Sequence, residues 1–397
     1  MPAPLRQPIL LLLLMFPMAV LNLQCVSFPE QSFYVSQDGN DEWSGLIGAP
    51  GLLGTDGPFR TLGRAKRAVR EADKANLYRV NVFVREGIYR MENPLHLTEE
   101  DGGPGDTRIV WSAYPGEYPI LSGSRVISDF SPVIDSTAAS RIDPRYLDQV
   151  VQTDLRQQGI DDFGDFSDEN GPGLELFFGG ERMRRARYPN EGYLRITEVP
   201  QVGDSLMNEG SWQWTRNGIP VGRHFGVLRF DDDRLRRWAP SSDIWMHGYF
   251  VWDWRDGFQR VAKIDGEKGL VYPASPHHSY GYHQDQPVYF FNVLEELDRP
   301  GEWVIDTKEG LLYFWPPASV DSATVTVSVL DRPLLLLDST SNVSVEGFIF
   351  EESRSEPVVV RGGDHVVVAG NTIRNAGTTG IVVEGGTGHL ITGNDVH

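Results

Sequence analysis

The sequence predicts an all-β fold, a right-handed parallel β-helix of about 23 residues per coil with an N-terminal cap helix and an inserted β-rich domain. Three observations carry that expectation. Gly347, Gly370 and Gly393 stand 23 residues apart, and the apolar sets Val345, Val368, Ile391 and Phe350, Ile373, Val396 keep the same step. Each unit holds short β-branched strands between glycine turns and leaves no length for a helix, so successive units must stack to bury their apolar faces. From about 131 to 330 the period disappears, and aromatic-rich hairpin patterns replace it.

The 397-residue chain opens with Arg6, an almost unbroken apolar run from Ile9 to Leu23, and then Cys25-Val26-Ser27. A positive start, a short apolar stretch and small residues before Phe28 read as a secretory signal over 1–27. The expected location is therefore secreted, periplasmic or cell-surface. The run is short and early for a membrane span, and Gln24 stands where a lipoprotein signal needs a small residue. Cys25 is the only cysteine, so a mature chain has neither disulfides nor cysteine metal sites.

Residues 28–130 read as the cap and first coils. Phe33 to Ser36 makes a strand; Leu62, Ala65, Ala68 and Val69 recur at helical spacing between Thr61 and Asn76, with Thr61 as N-cap. Val80 to Tyr89 alternates as a strand, and Ile109-Val110-Trp111 with Ile120-Leu121 supplies a further coil. Residues 131–324 form the insert, with strands expected at Leu174–Phe178, Phe225–Phe230, Val288–Val293 and Leu311–Phe314. Its aromatics cluster at Trp245, Tyr249, Phe250, Trp252 and Trp254, and again at Tyr280, Tyr282 and Tyr289 to Phe291. Such rings stack on sugars and equally fill a domain's own core.

Residues 325–397 resume the coils, with a second strand set at Leu335–Leu337, Val358–Val360 and Ile381–Val383. Asn371 and Asn394 each follow a repeat glycine. Either they stack at an inner bend and bond carbonyls of neighbouring coils, or they simply tolerate a left-handed turn. The chain stops at His397 in mid-coil, where a solenoid has a capping unit, so the native protein is expected to continue past this point.

Composition is ordinary for a folded soluble protein, with 40% hydrophobic and 23% charged residues. A net charge of −19 argues against a phosphate-backbone binder, which needs a cationic surface. His277, His278 and His283 lack metal-site spacing, and Asp231-Asp232-Asp233 reads as a charged turn. No metal or cofactor is expected.

Several stretches carry a resemblance. They are Phe33-Tyr34-Val35-Ser36, Gly57-Pro58-Phe59-Arg60-Thr61-Leu62, Trp111-Ser112-Ala113-Tyr114-Pro115-Gly116-Glu117, Ala186-Arg187-Tyr188-Pro189-Asn190, Glu295 through Trp303, and Leu312-Tyr313-Phe314-Trp315-Pro316-Pro317. In this order they resemble β-helix glycosidases of glycoside hydrolase family 141, and more distantly the family 120 xylosidases. The likeness runs from about Phe33 to His397. It implies an exported carbohydrate-active enzyme that cleaves a plant- or algal-type glycan with two carboxylates on coils after the insert.

That chemistry needs one carboxyl to protonate the leaving oxygen and another as nucleophile or base. Stacked coil positions lie about 4.8 Å apart, so carboxylates one coil apart suit a retaining reaction. The 23-residue register aligns Glu351, Arg374 and His397, pairs Arg361 with Glu384, and sets Asp395 beside Thr372. Glu384 and Asp395 are the catalytic candidates, although they are not stacked on one another. The alternatives are a solvated Glu384–Arg361 ion pair, worth at most about 1 kcal/mol, and a catalytic pair beyond His397. Arg187, Trp252, Trp254 and Tyr282 are the candidate substrate contacts. Two other functions stay open: a polysaccharide lyase acting on a uronate-containing glycan, and a non-catalytic glycan-binding surface protein. The absence of lysine from Pro333 to His397 lowers the lyase.

Overall fold

The computed structural model describes residues 29–164, 166, 173–202, 214–216, 219–221, 225–238 and 243–397; the apolar leader and Cys25 lie outside them. The coils stack as three parallel sheets. The first runs Glu30–Val35, Arg79–Val84, Arg108–Ala113, Val343–Glu346, Val367–Ala369 and Leu390–Thr392. The second holds Ile88–Arg90, Ile120–Ser122, Ile349–Ser353, Thr372–Ala376 and Asp395–Val396, and the third Leu95–Leu97, Leu335–Asp338, Val358–Arg361 and Ile381–Glu384. The parallel β-helix predicted from the repeat is therefore present.

Pairing follows the 23-residue register. Val345 faces Val368 and then Ile391, Phe350 faces Ile373 and then Val396, and Leu336 faces Val359 and then Val382. Strand alternation sends every second side chain inward. Leu335, Leu337, Val358, Val360, Phe350 and Ile373 accordingly share one buried core with Phe33, Val35 and Phe59 of the cap. The cap helix spans Leu62–Glu71, buries Leu62, Ala65, Ala68 and Val69, and starts where the Thr61 hydroxyl accepts the Arg64 amide at 3.1 Å. The run expected as one strand from Val80 to Tyr89 is two, because Gly87 takes φ +149° and turns the chain from the first sheet to the second.

Asn371 and Asn394 form a ladder. Asn371 Nδ2 donates to the Val345 carbonyl and to Asn394 Oδ1, both at 3.0 Å, while its Oδ1 accepts the Phe348 amide at 2.9 Å. Asn394 Nδ2 donates to the Val368 carbonyl at 2.9 Å. The left-handed positions belong instead to Gly370 and Gly393, each at φ +63°.

The insert leaves the β-helix at a single corner. The chain departs after Ser122 in the second sheet and rejoins at Leu335 in the third, where Leu335–Leu337 pairs with Leu95–Leu97. The coil closes as if the residues between were one long turn. Val325–Ser328, expected to resume the coils, is instead a stem strand, antiparallel to both Ser124–Val126 and Leu176–Phe178. Its Val-Thr-Val-Ser alternation suits either partner, which is why the sequence does not separate them. Beyond the stem lie a five-stranded sheet that includes Glu302–Asp306 and Leu311–Phe314, and an eight-stranded sheet centred on Trp245–Gly248, Gly257–Asp265 and Pro287–Phe291.

Candidate functional site

Where the stem meets the second sheet, two acids are buried. Phe350 points inward and Glu351 outward, so strict alternation would drive Glu352 into the apolar core, where a carboxylate is costly. Glu352 instead takes φ +54°, and Asn375 repeats the bend one coil later at +52°. Glu351 and Glu352 are only 6% and 3% exposed. Glu352 Oε2 accepts the Thr326 hydroxyl at 3.1 Å and the Ser122 hydroxyl at 3.3 Å, tying it to the stem. Glu351 Oε2 accepts Arg374 Nε at 2.8 Å, with Arg374 Nη2 at 2.6 Å. Burial holds the Glu351 carboxyl above its ordinary value; the Arg374 bond opposes this and the nearby Glu352 adds to it. Glu175 of the stem is raised by burial as well, with Arg182 at 3.3 Å. Arg182 also donates to the Ala376 carbonyl and Asn375 to the Gly180 carbonyl, each at 2.9 Å, which docks the hairpin of Leu176–Phe178 and Glu181–Arg182 against the coils. A carboxyl that burial raises above its ordinary value, beside a second carboxyl, is an arrangement suited to general acid and base work.

A strip of aromatic rings crosses one face of the eight-stranded sheet. Tyr289, His247 and Phe258 are in register on three adjacent strands, as are Phe291, Trp245 and Arg260. Met246 and Phe290, which alternate with them, fill the core on the other face. Ring centroids step from Tyr193 to Tyr289 (5.9 Å), His247 (5.2 Å), Phe258 (4.5 Å), Phe291 (5.9 Å), Phe166 (5.0 Å) and Trp245 (5.6 Å). The strip ends at a cavity of about 240 Å³ bounded by Phe166, Trp245, Arg185, Arg260, Asp162 and Asp243. Arg354 Nη1, two residues past Glu352, lies 3.2 Å from Asp162 Oδ2. The Arg354–Asp162 contact thus links the cavity rim to the chain segment that carries the acidic seam.

The expected residues are distributed differently. Glu384 is solvent-exposed and bonded to Arg361 at 3.1 Å, the ion-pair alternative. Asp395 is exposed on the second sheet, in register with Thr372, while Glu384 lies on the third. Arg187 lies 3.5 Å over the Tyr289 ring and donates to the carbonyls of Pro189 (2.9 Å) and Gly192 (2.6 Å), so it walls the strip. Trp254 is 69% exposed, with Tyr280 at 5.9 Å, and the half-buried Trp252 shares its loop. That loop is fastened to the strip by His247 Nε2 and Asp256 Oδ2 at 3.1 Å. Tyr282 is fully buried, its hydroxyl donating to Gln259 Oε1 at 2.7 Å. Among the described residues no three His, Cys, Asp or Glu side chains converge on a metal-sized site, and no helix is long and apolar enough to cross a membrane. Sequence reading placed Glu351 in its column but did not select it, and it passed over Glu352. The signal was there: two successive acids after an inward Phe cannot both obey the alternation.

No family model and no curated protein matches the sequence. The structure is similar to a solved protein described as a glycoside hydrolase, with a TM-score of 0.64 and 15% identity, covering 88% of this chain and 63% of that one. The fold is glycoside hydrolase-like. A second similar structure, described as XylC with xylose, has a TM-score of 0.38 and 14% identity, with 86% of this chain and 40% of that one covered. The chain therefore spans less than two thirds of the length of either.

Proposed function

We propose that this protein is an exported carbohydrate-active enzyme, a glycoside hydrolase of the family 141 type that cleaves a plant- or algal-type glycan. The observation that carries the reading is an aromatic strip ending at a polar cavity whose Asp162 contacts Arg354, on the segment that carries the buried Glu351–Glu352 pair. Rings of the strip hold sugar faces. Glu351, whose carboxyl burial raises above its ordinary value, is the proton donor to the leaving glycosidic oxygen, and Glu352 is the second carboxyl, acting on the anomeric carbon directly or through water. Glu384 and Asp395 remain the competing pair.

Aryl xylosides, aryl fucosides and intact hemicelluloses, assayed for new reducing ends, test the proposal. Glu351→Gln should lower the rate about 10²–10⁴-fold with the melting temperature retained, and Glu384→Gln should change it little. The opposite ranking would move the chemistry to the exposed acids. An ultraviolet-absorbing unsaturated product would make the protein a lyase. Glycan binding without turnover would make it a binding module.

A further inference from the structure

On the wall of the cavity at the end of the strip, Arg185 has no carboxylate within ion-pairing distance among the described residues. It enters the cavity from the short strand Arg184–Arg185, which pairs parallel to Glu302–Trp303. Its guanidinium lies 4.0 Å from the Trp303 ring centroid and 4.6 Å from that of Phe166. Nη1 donates to Asn292 Oδ1 at 3.1 Å and Nη2 to the Leu174 carbonyl at 2.5 Å, and both acceptors are neutral. Guanidinium has five N–H donors, so most of the fork is left over. Glu175 and Asp243 reach Arg185 only as longer-range charges. The cavity's own acids are committed elsewhere. Asp162 faces Arg354 at 3.2 Å, and Asp243 accepts the Thr307 amide at 2.9 Å and hydroxyl at 2.7 Å. Arg185 is crowded by protein yet keeps accessible surface, which is where the cavity meets it. Burial pulls its guanidinium down to about 9, so it is still a cation at neutral pH. A desolvated cation is costly until an anion joins it.

We propose that this cavity binds the carboxylate of a hexuronic acid unit of the glycan, with Arg185 as its charge partner and Trp245 and Phe166 as walls for the sugar ring. The planar fork of an arginine matches the two oxygens of a carboxylate. The cavity has room for one ring rather than a chain, so the strip would carry the neighbouring units. The inference rests on the carbohydrate reading above and narrows its substrate to an acidic glycan.

Calorimetric titration of the protein with trigalacturonic acid, its full methyl ester, neutral galactotriose and a sulfated galactotriose tests it. The ester removes the charge and keeps the ring. The acid should bind at least about tenfold tighter than the ester and the neutral sugar, with the advantage shrinking at high salt. Arg185→Gln should erase that advantage, and Arg185→Lys should restore part of it. Should Arg185→Gln not fold, the acid–ester comparison on the unmodified protein still decides. Equal binding of acid and ester, an unchanged preference in a folded Arg185→Gln variant, or a sulfated sugar bound as tightly as the uronate overturns the carboxylate site while the carbohydrate reading stands. Absence of binding by every oligosaccharide overturns both.

Discussion

Glu302 shows how one buried carboxyl couples the fold to pH. It is 2% exposed, and its Oε2 accepts the amides of Asp298 (3.1 Å) and Arg299 (3.2 Å) while Oε1 has no partner. Burial pushes the carboxyl from 4.5 up to about 7, against the amide bonds. The folded chain thus binds this proton more tightly than the unfolded one. The group's contribution to stability is complete below pH 4.5 and is lost as pH rises through about 7. Glu302→Gln keeps an acceptor for both amides and removes the charge. Melting curves across that window should lose part of their downward slope, and the variant should exceed the parent above pH 7; parallel curves would refute the assignment. Tyr282 makes the complementary case. Tyr282→Phe strips the hydroxyl from Gln259 and should cost about 1–3 kcal/mol in denaturant unfolding with glycan affinity unchanged. An intact fold with weakened binding would return Tyr282 to the substrate. Sequence alone could not separate Tyr282 from Trp254, because both are aromatics in loop-rich surroundings and only packing distinguishes the buried one from the exposed one.

At the scale of the element, the coil register was fully legible in the strands, since inward Val, Leu, Ile and Phe recur wherever a stacked coil must bury them. The asparagines were half legible. Their spacing announced a role, yet a ladder and a left-handed turn ask for the same residue, and only the neighbouring glycines' backbone settles which one bends. Asn371 is 1% exposed and holds partners in both adjoining coils. Asn371→Ala should cost about 2–4 kcal/mol, because it leaves buried backbone groups unpaired. Asn394→Ala, nearer solvent, should cost clearly less. Equal losses in chemical denaturation would show that the ladder contributes nothing beyond local turns. The acidic seam was less legible than either, because its distinguishing feature is a bend at Glu352 answered by hydroxyls from Ser122 and from the distant Thr326.

Across the whole molecule, the lost period revealed that an insert exists but not which corner it leaves, for the stem strand reads like any coil strand. What joins the two parts is largely polar: Arg354 to Asp162, Arg182 to Ala376, Asn375 to Gly180 and Glu352 to Thr326. Arg354 is 6% exposed and reaches the exposed Asp162, so removing it takes away both the ion pair and the packed side chain at the junction. Arg354→Ala should therefore broaden or split the calorimetric melt into an insert transition and a β-helix transition. A single sharp transition at a lower temperature would assign the coupling to the apolar stem.

The interrupted second coil also sets a schedule for synthesis. Ser122 emerges from the ribosome roughly two hundred residues before Leu335, the strand that closes the same coil. At about 5–20 residues per second, a half-built coil waits some 10–40 s for its missing side. The insert is made in that interval, and pairing of its own two ends, Ser124–Val126 with Val325–Ser328, delivers the chain back to the corner it left. With that clasp closed, the chain re-enters beside the coil it left, and the coils after Leu335 stack on an edge that the interrupting domain has helped to complete.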